Sequence, residues 1–345
     1  MKKLLSIVSA ISAGAIGTAA AEVSVSGAGN FYYSSASGDT TEATQEDSMS
    51  VTGGSVAWSM STETTNGITV SAGATISRDT DDVAEYSSTA AASTAVTGMS
   101  ALTFGMDGMT VTLGDINNAG SGTGEGGDVA TFASTHAGHY AGTAAAAGAN
   151  DSAMDGIADG TGINVSTSMG AASIDATFVS KVGSGSNSLL TNSKTTGYSS
   201  GYAINVGFDM AGASVNVATG GNQANEAGAR NDSATAINVT YAASDALSLT
   251  VGGSAGTISG ADEDNIFVSG AYTMDADTTL SFGYGKGDNT TTAGVVDKAT
   301  ALTLNVSRSL GGGVSVFAEY ASVSNDNGST GTSGSAMTVG TSVSF

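Results

Sequence analysis

Cysteine and proline are both missing from the 345 residues, and cationic side chains are scarce, with nine Lys and Arg against 31 Asp and Glu. Without cysteine there is no disulfide, no thiolate nucleophile and no Cys-ligated metal. Without proline no residue deletes a ladder donor, which suits long uninterrupted strands. Apart from Lys2 and Lys3, the few Lys and Arg are scattered singly, which argues against nucleic acid and anionic lipid surfaces as partners, since phosphates are bound by clustered cations. Aromatics make up 6% of the chain, with a single Trp, so any interfacial girdle is thin. Past the first residues no apolar run approaches the roughly 20 residues of a membrane-spanning helix. If this chain enters a bilayer, it does so as strands.

What is present begins with an export signal. Lys2 and Lys3 precede an apolar stretch at 4–16, and Ala19, Ala20 and Ala21 supply small residues at a cleavage site. The expected division is therefore a signal peptide at 1–21 and one mature domain at 22–345. Removing Lys2 and Lys3 leaves Arg78, Lys181, Lys194, Arg230, Lys286, Lys298 and Arg308, and a formal charge of about −24 from 31 acids less these seven cations.

The mature chain alternates. In 337–345, Met337, Val339, Thr341, Val343 and Phe345 interleave with Thr338, Gly340, Ser342 and Ser344. Period two marks a strand with one apolar and one polar face. The pattern recurs in sixteen segments: 23–33, 49–61, 68–78, 100–106, 109–115, 163–169, 173–182, 198–210, 213–219, 234–242, 247–255, 265–274, 278–286, 299–310, 314–324 and 335–345. Their connections alternate in length. Tight ones at 107–108, 170–171, 211–212, 243–246, 275–277 and 311–313 carry the Gly and Asp of hairpin turns. Long acidic ones fill 34–48, 79–99, 183–197, 220–233, 287–298 and 325–334.

An even number of such strands, short turns on one side and long loops on the other, defines an all-β, 16-stranded antiparallel transmembrane β-barrel. Tyr202, Ile204, Val206, Phe208 and Met210 are assigned to lipid, with Ala203, Asn205, Gly207 and Asp209 inside. Leu302, Leu304 and Val306 face out against Thr303, Asn305 and Ser307, and Val314, Val316, Ala318 and Tyr320 against Ser315, Phe317 and Glu319. Gly27, Gly29, Ala72 and Ala74 leave the outer face of the early strands less oily, consistent with an oligomer contact or with merely weak strands. Trp58, Tyr32, Tyr33 and Phe345 are the girdle candidates, while Phe104, Phe178 and Phe317 read as packing residues.

The longest connection, 116–161, holds Glu125, Asp128, Asp151, Asp155 and Asp159, two histidines and no Lys or Arg. Its centre at 141–149 is Ala-rich. A loop of this length inside a compact barrel calls for a function. With the signal peptide, sixteen strands, this third external loop after the 109–118 segment Met-Thr-Val-Thr-Leu-Gly-Asp-Ile-Asn-Asn, and terminal Phe345, the chain resembles Gram-negative general-diffusion porins, closest to the acidic Rhodobacter-type porins of α-proteobacteria. The resemblance implies that the third loop folds into the lumen as a constriction at 116–161, that three barrels form a homotrimer in outer-membrane lipid, and that ions and small hydrophilic solutes diffuse through passively. It also implies a role for the terminal phenylalanine in recognition by the assembly machinery. The expected pore-lining residues are Glu125, Asp128, Asp151, Asp155 and Asp159 on the loop and Asp175, Lys181, Asp209 and Glu319 on the wall. The family's arginine cluster opposite the loop has no counterpart here, so negative potential should favour cations.

Other motifs weigh less. Gly252-Gly253-Ser254-Ala255-Gly256 fits the nucleophile pattern G-x-S-x-G, but both histidines, His136 and His139, precede it, and no helix follows. The G-x-G-x-x-G at 122–127 places Glu125 where a phosphate would sit. His136 and His139 lack an ordered third ligand. Asp79, Asp81 and Asp82, or Asp262, Glu263 and Asp264, offer oxygen ligands for a structural Ca2+ without the spacing of a dedicated loop. No enzyme activity and no obligatory cofactor are expected. The competing reading is an acidic secreted or surface β-protein, a layer or adhesin without a pore.

Overall fold

The computed structural model describes residues 22–38, 48–78, 94–97, 101–116, 119–120, 123, 152–154, 157–182, 198–224, 231–258, 260–290, 296–326 and 331–345. Seventeen strands follow in order: β1 Glu22–Gly38, β2 Ser48–Glu63, β3 Thr69–Arg78, β4 Thr94–Thr97, β5 Ala101–Met106, β6 Met109–Ile116, β7 Gly160–Met169, β8 Ala172–Val182 and β9 Tyr198–Met210. The second half adds β10 Ala213–Ala224, β11 Asp232–Ala242, β12 Leu247–Ile258, β13 Ala261–Asp275, β14 Thr278–Thr290, β15 Val296–Gly311, β16 Val314–Asp326 and β17 Gly331–Ser344.

Both β4 and β5 pair with β3, at Ile76↔Val96 and Val70↔Phe104, so the two occupy one place in the wall. The wall is thus sixteen antiparallel strands, each hydrogen-bonded to its sequence neighbour, and β1 closes on β17 from Ala28↔Ser344 to Gly38↔Gly334. Closure removes both edges, the condition for holding a sheet in hydrocarbon. Residues 94–97 belong to the wall and not to a long loop.

The alternation sets the faces as the sequence implies. Tyr202, Ile204, Leu304, Val306, Val316 and Tyr320 are exposed on the outside, whereas Ala203, Thr303 and Glu319 are buried within. Tyr32 departs from its expected place in the girdle. It points into the barrel and is buried, while its neighbours Phe31 and Tyr33 face out.

Four phenylalanines lie across glycines directly opposite them. Phe282 covers Gly270 on the outer face, and Phe267 and Phe317 cover Gly252 and Gly340 on the inner one. The fourth pair closes the barrel. Gly27 N–H donates to the Phe345 carbonyl at 2.8 Å, Phe345 N–H returns the bond at 2.9 Å, and the ring occupies the space a Gly27 side chain would need. Gly27 is therefore small because Phe345 fills its place, which withdraws it from the oligomer argument.

The tight turns fall at 107–108, 170–171, 211–212, 276–277 and 312–313, all on one rim. In the 211–212 turn both central residues have positive φ, 52° at Ala211 and 81° at Gly212. Two-residue hairpins favour this geometry, but it strains an alanine. Ala211→Gly should relieve more strain than it costs in chain entropy, a net gain of about 0.5–1 kcal/mol. A higher denaturant midpoint for the detergent-solubilised barrel would register it.

Candidate pore and its docked loop

The returning limb of the long connection lies inside the barrel. Ala153, Met154, Ile157 and Ala158 are buried, Met154, Ile157 and Ala158 completely, in one cluster with Val179 of β8, Ala203 of β9, Ala218 of β10, and Ala234 and Ala236 of β11. These wall residues all take the inward parity, so this sector of the inner face is apolar and built for packing. Glycines complete the seat. A side chain at Gly220 would meet Ile157 Cγ2 at 2.7 Å, and one at Gly201 would meet Ala158 Cα at 2.9 Å. At Gly256 an added Cβ would lie 3.1 Å from Ala153 Cβ.

Polar groups fix the register of the docked segment. The Ala153 N–H donates to Ser254 Oγ at 2.8 Å, and Ser254 Oγ in turn donates to Asn265 Oδ1 at 3.0 Å. The Ala158 N–H donates to Asn222 Oδ1 at 2.9 Å, and Ser152 Oγ donates to the Thr123 carbonyl at 2.7 Å, tying the outgoing limb to the returning one. Buried backbone donors require such partners. The nucleophile-like motif is thereby explained. It lies within β12, with no elbow, and Ser254 serves as a hydrogen-bond relay.

A second apolar patch lines the inner face at β15, β16, β17 and β1, where Tyr32 packs with Ala299, Ala301, Ala321, Val323 and Ala336. Elsewhere hydroxyls dominate the inner face, in cross-strand pairs such as Ser24 with Ser59 at 2.7 Å, Thr103 with Thr112 at 3.2 Å and Thr240 with Thr250 at 2.9 Å.

Carboxylates lie on both faces, Asp262, Asp264, Asp288 and Asp326 on the outward register among them. Asp175, Asp209 and Glu319 take inward positions, as expected from the sequence. Asp232 and Glu263, not singled out there, take inward positions too. Three of these carboxylates are held by amides. Asn164 Nδ2 donates to Asp175 Oδ1 at 2.6 Å, Asn305 Nδ2 to Glu319 Oε1 at 2.9 Å, and Asn289 Nδ2 to Glu263 Oε1 at 3.0 Å. An amide orients a carboxylate without cancelling its charge.

Lys286, Lys298 and Arg308 all lie on the outward register, with Leu304, Val306 and Tyr284. Arg308 makes the only ion pair among the described residues, to Asp275 at 3.5 Å on the turn rim. Asp159 stands half-buried next to Gly160, and Lys181 lies in β8. Glu125, Asp128, Asp151, Asp155, His136 and His139 lie outside the described residues, as does the 79–82 acidic cluster. Among the described residues no group of three or more His, Asp or Glu is placed to hold a metal ion.

A closed sheet with an oily exterior, hydroxyls and carboxylates inside and a loop seated on the inner wall defines a transmembrane channel protein. A profile of the Gram-negative porin family matches residues 7–328. The chain belongs to that family. Its fold is similar to solved outer-membrane proteins at low identity. OmpT of Vibrio cholerae in its trimer form is 12% identical at a TM-score of 0.63, covering 94% of this chain and 99% of that one. An anion-selective porin from Comamonas acidovorans is 13% identical at 0.62, with coverage of 94% and 100%. A mutant of the Rhodobacter blastica porin is 20% identical at 0.56, with the same coverage. The search of curated proteins finds no match to the chain. The protein is a porin of the bacterial outer membrane, a channel for passive diffusion.

Proposed function

We propose that this porin passes small cations and neutral hydrophilic solutes in preference to anions, through a lumen narrowed by the 116–161 loop. The observation that carries the reading is the excess of acids over cations at the inward positions. Inward positions hold Asp175, Asp209, Asp232, Glu263 and Glu319, while Lys286, Lys298 and Arg308 lie on the outward register. A narrow aqueous passage lined by one sign of charge concentrates the opposite ion. The loop acids Glu125, Asp128, Asp151, Asp155 and Asp159 add to the same potential, and Lys181 opposes it. The test is the reversal potential of the purified protein in a planar bilayer under a KCl gradient. A sign set by K+ supports the reading, and a sign set by Cl− refutes it.

Exposed surface charges are screened over about 10 Å at 0.1 M salt and about 3 Å at 1 M. The K+ preference should therefore shrink when both baths are raised to molar salt. In this reading residues 1–21 are removed on export, and three barrels associate through the face carrying Gly29, Ala72 and Ala74, with outer-membrane lipid around the remainder. No reaction and no resident cofactor are required. Chelation is expected to leave the melting temperature unchanged; a fall would point to Ca2+ bridging acidic loops.

A further inference from the structure

The turn rim carries methionine where interfacial aromatics usually sit. Met106 and Met109 face each other across the 107–108 turn on β5 and β6. Met169 ends β7, Met210 ends β9, and Met274 lies one residue before the end of β13. All five take the outward register. Met169, Met210 and Met274 are 63%, 62% and 57% exposed, whereas Met154 of the docked loop is 0% exposed. Phe104, Phe208, Tyr241 and Tyr272 are aromatic neighbours on the same face. The belt thus spans β5 to β13, away from the small-residue face of β1 to β3.

Short turns mark the periplasmic end of such barrels, so these thioethers lie at the boundary between inner-leaflet headgroups and water. Methionine supplies apolar, adaptable surface there, but unlike Tyr or Trp it is readily oxidised.

We propose that the periplasmic methionine belt is a reversible oxidation site through which peroxide loosens the seating of the barrel in its membrane. The thioether sulfur attacks one peroxide oxygen and the O–O bond breaks. A sulfur–oxygen bond forms, and the second oxygen leaves as water with both protons. Sulfur is oxidised by two electrons and the peroxide is reduced by two. The product sulfoxide is polar and hydrogen-bond accepting. It replaces apolar surface at the rim, and a thiol-dependent sulfoxide reductase returns it to thioether.

The test uses the full protein in phospholipid vesicles exposed to hydrogen peroxide. Peptide mass spectra should show one added oxygen on Met169, Met210 and Met274 well before Met154. They should also show it before Met337, which is exposed on the lipid-facing side but lies several residues from the turn rim. The heat-induced unfolding temperature should fall on oxidation and recover after treatment with both methionine sulfoxide reductases. A variant with Leu at 106, 109, 169, 210 and 274 preserves volume and apolarity, and its unfolding temperature should not respond to peroxide. Oxidation of Met154 or Met337 as fast as the rim would overturn the proposal. So would rim sulfoxides that leave the wild-type unfolding temperature unmoved, or an equal fall in the leucine variant.

Discussion

Ile157→Asp is expected to free the constriction loop while leaving the barrel folded. Ile157 is completely buried against Ala203 and Ala218, and the Gly220 backbone leaves room for its Cγ2. Truncating a buried isoleucine costs about 2–5 kcal/mol, and an unpaired carboxylate in its place adds to that. A loss of about 2.8 kcal/mol already shifts the docked-to-undocked ratio about a hundredfold. The wall itself is untouched, because Ile157 contributes nothing to the strand ladders. Vesicles holding the variant should admit larger sugars than the wild type does, at an unchanged unfolding temperature. An unchanged size limit would mean that the seat of Ile157 does not set the aperture. Asn222→Ala should act in the same direction but more weakly, since it removes one acceptor and leaves the Ala158 N–H unpaired, at about 1–3 kcal/mol.

The second large effect concerns charge. Asp175→Asn, Asp209→Asn and Glu319→Gln combined remove three inward charges while keeping side-chain shape and the ability to accept from Asn164 and Asn305. The reversal potential should move most of the way toward zero, with single-channel conductance in molar salt little altered. Position makes the three complementary. Asp209 and Asp175 lie near the periplasmic turns of β9 and β8, and Glu319 lies further up β16. If the triple variant keeps the wild-type reversal potential, selectivity must instead be set by Asp232 and Glu263 or by the loop acids Glu125, Asp128, Asp151, Asp155 and Asp159.

Much of this architecture was legible because a membrane barrel imposes a two-sided contrast on every strand. Tyr202 to Met210 and Leu302 to Val306 alternate oily and polar residues because their two faces meet different solvents. Where a strand rises beyond hydrocarbon, the contrast ends but the ladder does not. For that reason β10 continues to Ala224 and β14 to Thr290, past the points at which their alternation fades. Thr94–Thr97 is a four-residue segment, too short to show alternation, and is recognisable only by its pairing with β3.

The seat of the loop was harder to see. Ala203, Ala218, Ala234 and Ala236 sit at inward positions, where a small residue reads as a neutral patch of lumen. Their common purpose emerges only when β9, β10 and β11 stand side by side. The available signal was the run of Ala and Gly at inward positions on consecutive strands, with Gly201, Gly220 and Gly256 alongside. Ser254 was noticed for the wrong chemistry. Its neighbours on the sheet, not its motif, assign it to anchoring Ala153. Period two from the outward Gly27 and Gly29 puts Phe31 and Tyr33 outside and Tyr32 inside, so the alternation, and not aromatic character, decides which of the three joins the girdle.

The returning limb of the 116–161 loop rests against the inner wall of an open barrel. The chain has no native cysteine, so a pair introduced as Ala153→Cys and Gly256→Cys supplies its only thiols. An added Cβ at Gly256 lies 3.1 Å from that of Ala153, slightly inside the usual disulfide spacing, and 2.6 Å from the Ser233 carbonyl oxygen, so β11 and β12 must shift locally to admit the new side chain. Single-channel recordings of the doubly substituted protein, oxidised and then reduced in the same bilayer, are the direct measurement. The prediction is quantitative formation of the cross-link with conductance steps of the same size in both states. Thiols that stay free under oxidant, or a bilayer without current steps in either state, would contradict it.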